Sequence, residues 1–265
     1  MASSTHQLMA AAASMDRIAV AISGGVDSVT LATFAHRNHA HVHMLHAVSP
    51  AVPAEATSRV QALAQQEGWR LSLLDAGEFE DARYRANPID RCFYCKTSLY
   101  GAIAAAAEGV TIVSGTNIDD LGEFRPGLNA ARDHGVRHPF VEAGMDKQAV
   151  RALACVLDLG DVAELPAAPC LASRIETGIA VEPEQLAMVH AVERFVSQQL
   201  GPRTVRCRVR RAGIVVELDE ASLAALSGEA HLALRDAVRS LTGGASEVAL
   251  APYRNGSAFV LHPTP

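Results

Sequence analysis

The residues with the clearest potential chemistry form the run Ser23-Gly24-Gly25-Val26-Asp27-Ser28. The run follows an apolar stretch at residues 18–22 and precedes a segment, 29–36, that has a helical composition. This order predicts a buried strand, a glycine turn and a helix. Backbone N–H groups and the positive end of the helix then point at one place, which suits a phosphate group. The simplest alternative is a glycine turn that only joins a strand to a helix.

The same run lacks the lysine of the Walker phosphate loop, G-x-x-x-x-G-K-[ST], so it is not that kind of site. Ser-Gly-Gly-x-Asp-Ser instead resembles the pyrophosphate loop of the PP-loop ATP pyrophosphatases. The resemblance implies that ATP is bound by these six residues and split between its α and β phosphates. It also implies that Asp27 orients Mg²⁺ or the loop itself, and the alternative for Asp27 is a helix carboxylate that only stabilises the fold.

The cysteines form a second candidate centre. Cys92-Phe93-Tyr94-Cys95 is a C-x-x-C pair, predicted to lie in a loop just before a helix. A zinc site would need a second pair, and a thioredoxin-like redox pair would need another fold. A third interpretation joins the pair to Cys170, because three thiolates can hold a [4Fe–4S] cluster and leave one iron open for sulfide. Cys155 and Cys207 are predicted to be small core residues.

Alternation of strands with helices predicts a doubly wound α/β fold with a mostly parallel sheet over residues 1–170. Its predicted strands are 18–22, 42–48, 70–74 and 110–113, and its predicted helices include 29–36, 58–67, 97–108 and 147–157. After two prolines at 166 and 169 the pattern changes, and residues 171–265 are predicted to form a smaller α+β domain. Its predicted helices are 183–200 and 220–241, and its predicted strands are 204–209, 214–218, 247–250 and 258–261.

Composition sets broad limits on the class of protein. The chain has 265 residues, 49% of them hydrophobic, and a formal net charge of −6. These values are ordinary for a globular protein with a sizeable core, and the acidic balance argues against a general nucleic-acid binder. No membrane span or signal peptide is evident, and an odd number of cysteines favours a reducing compartment. We therefore expect a cytoplasmic protein with no membrane partner.

Two further segments carry a more specific resemblance. They are Ser114-Gly115-Thr116-Asn117-Ile118-Asp119-Asp120-Leu121-Gly122-Glu123-Phe124-Arg125-Pro126-Gly127 and Pro169-Cys170-Leu171-Ala172-Ser173-Arg174. Together with Arg206-Cys207-Arg208 they resemble the LarE family of PP-loop sulfur transferases. The resemblance implies an enzyme that converts pyridinium-3,5-biscarboxylic acid mononucleotide into its thiocarboxylic form, on the route to a nickel-pincer cofactor. It also implies a homo-oligomer.

The resemblance also assigns roles to residues. It implies ATP contacts at Gly115, Thr116 and Asn117, and substrate contacts at Arg174, Arg206, Arg208, Glu123 and Glu193. Cys170 would attack the adenylate and give up its own sulfur in one branch of the family. In the other branch, Cys92, Cys95 and Cys170 would hold a [4Fe–4S] cluster that carries an exchangeable sulfide from a sulfur donor, and this sequence resembles that branch.

The sequence leaves four other functions open. The same ATP chemistry could thiolate tRNA or another small metabolite, or it could form an amide. The acidic charge and the absence of a recognisable RNA-binding appendage argue against tRNA, and no glutaminase-like segment supplies ammonia. A non-enzymatic AMP-binding or iron–sulfur sensing module is the last alternative. Retention of Asp27 and both loop serines argues against that alternative.

Overall fold

The computed structural model describes residues 2–122, 124–166, 169–244 and 247–260. Its strands are β1 (Ile18–Ala21), β2 (Val42–Ala47), β3 (Leu71–Leu74), β4 (Thr111–Ser114), β5 (Val205–Arg210), β6 (Gly213–Leu218) and β7 (Val248–Pro252). Its helices are α1 (Ala2–Ala13), α2 (Val26–Asn38), α3 (Ala54–Glu67), α4 (Ala82–Arg85), α5 (Arg91–Ala106), α6 (Gly127–Asp133), α7 (Pro139–Glu142), α8 (Lys147–Val156), α9 (Pro183–Leu200), α10 (Glu220–Ala224) and α11 (Gly228–Leu241). No helix among the described residues is both long and apolar enough to span a membrane.

The chain forms two compact units. The first comprises Met1–Asp81 and Asp90–Ala168, and the second comprises Ala82–Ile89 and Pro169–Pro265. The sequence pattern did not reveal that the short segment with α4 joins the second unit. The separate roles predicted for residues 1–170 and 171–265 stay predictions.

The first unit is built on a parallel sheet with strand order β3-β2-β1-β4. Strand β1 is central, and Ile18 pairs with Val42 of β2 on one side and with Thr111 of β4 on the other. Its residues Ile18, Ala19 and Val20 are buried because both faces of the sheet are covered, which explains the continuous apolar run in the sequence. The α/β prediction is confirmed.

The strand order creates a switch point between β1 and β4. From β1 the chain moves to β2 and β3 on one side, then returns to the other side of β1 for β4. The order of addition therefore changes side between β1 and β4, and ligands of open α/β sheets bind at such a switch point. The glycine run follows β1, and the Gly115-Thr116-Asn117 segment follows β4. The fold thus brings two of the predicted ATP-binding segments to one edge.

The second unit contains a three-stranded mixed sheet of order β5-β6-β7. Strands β5 and β6 are antiparallel, whereas β6 and β7 are parallel. Asn87, which has a positive φ of 55°, ties the 82–89 segment to this unit. Its buried amide donates to the carbonyls of Glu176 and Ile179 at 2.9 Å each.

Four predictions about local structure are wrong. Cys92 and Cys95 lie inside α5, which starts six residues earlier than predicted. The single helix predicted for 220–241 is two helices, because Ser227 caps a new start at Gly228 by accepting from the Ala230 amide. Residues 258–260 form no strand, and Leu261 lies outside the described residues.

Cys155 is the fourth correction, since this thiol is exposed. Helix α8 buries Val150, Leu153 and Ala154, which follow the helical period of three and four residues. Cys155 is one position beyond that stripe and faces outward. The prediction for Cys207 is confirmed, because its side chain is completely buried on β5.

Candidate functional site

The loop after β1 is held in shape by its own serines. The Ser28 hydroxyl accepts from the Ser23 amide at 3.1 Å and donates to the Gly25 carbonyl at 3.1 Å. The two serine hydroxyls are also 3.1 Å apart. Helix α2 begins after Gly25, which as a glycine offers no side chain to cap the amides of its first turn. Such a turn is suited to binding an anion.

Helix α3 supports the back of this loop. Gly24 has a φ of 83°, and a Cβ there would lie 2.8 Å from the Ala56 carbonyl oxygen. The Arg59 guanidinium donates to the Gly24 carbonyl at 2.9 Å. The positive charge of Arg59 offsets the negative end of the Gly24 carbonyl dipole, which would otherwise repel an anion bound at the loop. Arg59 therefore favours the anion-binding form of the loop.

Buried His46 extends the same support from β2. Its Nδ1 lies 2.8 Å from the Ile22 carbonyl oxygen, and its Nε2 lies 2.9 Å from the Thr57 hydroxyl. A carbonyl can only accept, so Nδ1 carries the proton and Nε2 accepts from Thr57. Burial lowers the pKa of His46, which stabilises this neutral form.

The segment after β4 packs directly against the start of α2. A Cβ at Gly115 would lie 2.8 Å from both the Asp27 carbonyl carbon and the Ser28 nitrogen. Thr116 is turned to the Ser114 hydroxyl at 3.0 Å. Asn117 donates its amide to Asp27 Oδ1 at 3.3 Å and its backbone N–H to Asp120 at 3.0 Å. The structure therefore brings Gly115 and Asn117 into contact with the glycine run.

Asp27 carries the main charge of the site. Its Oδ2 accepts from the Lys147 ammonium at 2.5 Å. The two side chains are 28% and 31% exposed, so the pair is accessible from solvent. Sequence reasoning missed Lys147 because it lies 120 residues from Asp27. The sequence did offer one indication. Lys147 directly follows Asp146, the predicted cap of α8, so it could be placed at the start of that helix.

The predicted cluster residues are divided between the units. Cys92 and Cys95 are half-buried in the first turns of α5, and their spacing of three puts them on one side of that helix. Cys170 belongs to the second unit. Within either unit, no three described His, Cys, Asp or Glu side chains are placed to hold a metal ion. The three-cysteine set stays a prediction.

Cys170 is half-buried and precedes a 3₁₀ turn, Leu171–Arg174. The Arg174 guanidinium donates to the Cys170 carbonyl at 3.2 Å. It also forms a two-pronged ion pair with Glu193 of α9, at 2.9 and 3.0 Å. Glu193 in turn accepts from the Cys207 amide at 2.9 Å. Two predicted substrate residues, Arg174 and Glu193, are therefore partners of each other.

Arg206 and Arg208 alternate with Cys207 on β5. Arg208 is buried and pairs with Glu217 at 2.9 Å, whereas the Arg206 guanidinium lies 5.9 Å from the centre of the Tyr253 ring. Burial, followed by repulsion from Arg174, lowers the pKa of Arg206. An anion placed beside Arg206 would relieve that repulsion. Glu123, the other predicted substrate residue, lies outside the described residues.

We predict that Gly115→Ala destabilises the first unit by about 1–3 kcal/mol, the usual cost of forcing an extra methyl group into a packed site. The matched control is Gly122→Ala, whose Cβ would meet no atom within 4 Å. Urea unfolding followed by the fluorescence of Trp69, the single tryptophan, measures both variants because Trp69 is buried in this unit. Equal stability of the two variants would contradict the prediction.

We also predict that this unit loses stability as the pH falls below the ordinary histidine value of 6.5. Unfolded His46 then binds a proton that the folded form does not, with a limit of about 1.4 kcal/mol per pH unit for one proton. Burial lowers the pKa of His43 and His138 as well, so His46→Gln should remove only part of the slope. Exposed His6 provides the control variant, His6→Gln, which should leave the slope unchanged.

Comparison with known proteins gives two informative relatives. Uncharacterized protein slr1717 from Synechocystis is 35% identical over 208 residues, which is 77% of each chain. Pyridinium-3,5-bisthiocarboxylic acid mononucleotide synthase from Lactiplantibacillus plantarum is 29% identical over 228 residues, covering 84% of this chain and 82% of that protein. No protein-family model matches the chain. With these relatives, and with the glycine run and the segment after β4 at one sheet edge, the chain belongs to the LarE family.

Proposed function

We propose that the protein is an ATP-dependent sulfur transferase that makes the thiocarboxylate of a pyridinium biscarboxylic acid mononucleotide, for a nickel-pincer cofactor. The observation that carries the proposal is the contact of Gly115 and Asn117 with the Ser23–Ser28 loop at the carboxyl ends of β1 and β4. This arrangement suits a nucleotide whose phosphates lie on the loop. The name of the Lactiplantibacillus plantarum relative suggests the substrate.

ATP is needed because a carboxylate is a poor electrophile. In the proposed step a carboxylate oxygen attacks the α phosphorus of ATP, and the bond between the α phosphorus and the bridging oxygen breaks. An acyl adenylate forms and pyrophosphate leaves, so the former carboxylate oxygen departs later with AMP. The Ser23–Ser28 loop would stabilise the pyrophosphate through its amides and hydroxyls. The bonds from Arg59 and His46 to the loop carbonyls support this role.

Asp27 fits the proposed magnesium site, because its carboxylate lies in the loop and Mg²⁺ prefers hard oxygen ligands. When bound, Mg²⁺ neutralises charge on the phosphates. The donor set Cys92, Cys95 and Cys170 fits an iron–sulfur cluster in its chemistry, and two of the thiols share one helix side. When bound, a cluster with three thiolate ligands supplies an open iron for sulfide. The alternative sulfur source is Cys170 itself.

The substrate phosphate would bind in the second unit among Arg174, Arg206 and Arg208. Forked guanidinium donors suit a mononucleotide phosphate. Burial, followed by repulsion from Arg174, lowers the pKa of Arg206, and a phosphate dianion beside Arg206 would offset that repulsion. Glu193 holds Arg174 in place from α9. These roles make the second unit the substrate-binding part of the enzyme.

We predict that pyrophosphate release depends on both ATP and the pyridinium biscarboxylic acid mononucleotide. Ser28→Ala removes the hydroxyl that organises the loop, so kcat/KM for pyrophosphate release should fall about 10- to 100-fold, the equivalent of one hydrogen bond to a charged group. Ser240→Ala is the control, since this exposed hydroxyl only donates to a carbonyl of its own helix. No substrate-dependent pyrophosphate from the unmodified protein would refute the proposed function.

A second prediction concerns the sulfur source. In anaerobically purified protein, Cys92→Ala, Cys95→Ala and Cys170→Ala should each abolish iron and sulfide content together with the brown absorption. The matched control, Cys155→Ala, changes an exposed thiol of α8 and should retain all three signals. Iron that persists unchanged in Cys92→Ala would exclude the three-cysteine cluster. Loss of one hydrogen sulfide from the protein mass after turnover would identify Cys170 as the donor instead.

A further inference from the structure

Lys147 has no role in the chemistry described so far, although it contacts the centre of the candidate site. Lys96 and Lys147 are the only lysines among 23 lysine and arginine residues in the chain. The remaining residues of that set are arginines, including Arg174 and Arg208 of the two buried ion pairs in the second unit. A lysine at position 147 is therefore one of only two exceptions to the use of arginine in this chain. Its ammonium is a compact point charge with three rotatable donors, unlike the planar fork of arginine.

The backbone fixes Lys147 close to the loop. It is the first residue of α8, and Asp146 caps that helix by accepting from the Ala149 amide at 2.8 Å. The Lys147 backbone N–H donates to Asp119 at 3.0 Å. Asp119 lies in the segment after β4, and its own amide donates to Asn117 at 3.1 Å. The start of α8, the segment after β4 and the loop after β1 are thus joined through hydrogen bonds.

Charge in the site requires a cation at this place. ATP and pyrophosphate are polyanions, and the carboxylate of Asp27 lies in the first turn of α2, where they would bind. An unpaired Asp27 would repel them. Among the described residues the Lys147 ammonium contacts Asp27 alone, with Nζ 2.5 Å from Oδ2, so two of its three N–H donors are left for phosphoryl oxygens. The pair is about one-third exposed and is therefore reachable by a ligand.

We propose that Lys147 is a catalytic residue that binds the β and γ phosphoryl oxygens of ATP. It keeps this contact when the two groups leave together as pyrophosphate. The inference rests on the proposed function and deepens it. As the bond between the α phosphorus and the bridging oxygen breaks, both electrons go to that oxygen, and negative charge grows on the leaving group. The Lys147 ammonium stabilises this charge without transferring its proton. Its contact with Asp27 holds the ammonium in position before ATP arrives.

The first test compares binding of ATP, pyrophosphate and AMP by calorimetry, in the full protein with EDTA present. Lys147→Gln should lower the affinity for ATP and for pyrophosphate about 10- to 100-fold, as expected for the loss of one charged hydrogen-bond donor. AMP lacks the β and γ groups and should keep its affinity within about twofold. Lys147→Arg should restore part of the ATP affinity. The control is Arg37→Gln, which removes a comparable ion pair with Glu67 away from the site.

A double variant separates contact from mere charge balance. If Lys147 acts only by neutralising Asp27, then Asp27→Asn with Lys147→Gln should recover the ATP affinity lost in Lys147→Gln. If Lys147 binds the phosphates, the double variant should stay at least about 10-fold weaker than Asp27→Asn alone. EDTA removes the metal, so any metal-binding role of Asp27 does not enter the comparison. Recovery of ATP affinity in the double variant would overturn the proposed contact between Lys147 and the phosphates.

Chemical modification provides a test on the unaltered protein. The chain has two lysines, so an amine-reactive acylating reagent followed by peptide mass spectrometry reports on each one separately. Saturating pyrophosphate should slow the modification of Lys147 at least about 10-fold, because pyrophosphate bound at this side chain blocks the reagent, which reacts only with the free amine. Lys96 is the internal reference, and AMP should protect Lys147 less than pyrophosphate does. Equal modification rates with and without pyrophosphate would overturn the inference.

The outcomes also distinguish this inference from the proposed function. If the unmodified protein releases pyrophosphate with the pyridinium substrate and Lys147→Gln does so at the same rate, only the role of Lys147 fails. If the unmodified protein binds ATP and Lys147 is protected but no pyrophosphate forms with that substrate, the proposed function fails. If Lys147 had only a structural role, Lys147→Gln would weaken the binding of AMP and of ATP equally. It would also lower the urea concentration at the midpoint of unfolding, as reported by Trp69 fluorescence.

Discussion

The close approach of Gly115 to the first turn of α2 is the constraint on which the rest of the candidate site depends. No side chain fits between the segment after β4 and the backbone of Asp27 and Ser28. The two connections therefore act as one surface, and their polar groups can face a common ligand. Asn117 and Lys147 reach Asp27 only because this contact holds the backbones together. A larger residue at position 115 would separate the elements that carry the chemistry.

Support from behind the loop has the same physical logic. Anion binding by backbone amides needs the neighbouring carbonyl oxygens to be turned away and satisfied. Arg59 and His46 do this for Gly24 and Ile22. The second unit solves a related problem with carboxylates, since Glu193 and Glu217 neutralise buried guanidiniums that would otherwise repel one another. In both units, side chains that would not touch the ligand hold the groups that would bind it. These groups are backbone amides in the first unit and guanidinium groups in the second.

Local patterns predicted most of what is local in this structure. The apolar run before the glycines predicted β1, Asp146 predicted the start of α8, and helix α9 was predicted with its observed limits. The LarE resemblance came from short motifs, most of which lie at or beside the ends of strands and helices, while Arg206-Cys207-Arg208 lies on β5. Long-range pairing was out of reach, because the partner of Asp27 lies 120 residues away and the carbonyl partners of Asn87 are about 90 residues away. Cys155 was misplaced because its size suits a core, while only its phase on α8 decides exposure.

The segment Ala82–Ile89 makes the second unit discontinuous in the chain. A fragment that begins at Pro169 would lack Asn87 and would leave the carbonyls of Glu176 and Ile179 without their amide donor. The polypeptide also visits this unit before α5 is made, so synthesis from the ribosome delivers its two parts at different times. A single genetic crossover therefore cannot exchange the second unit as a whole, because its two segments flank residues of the first unit.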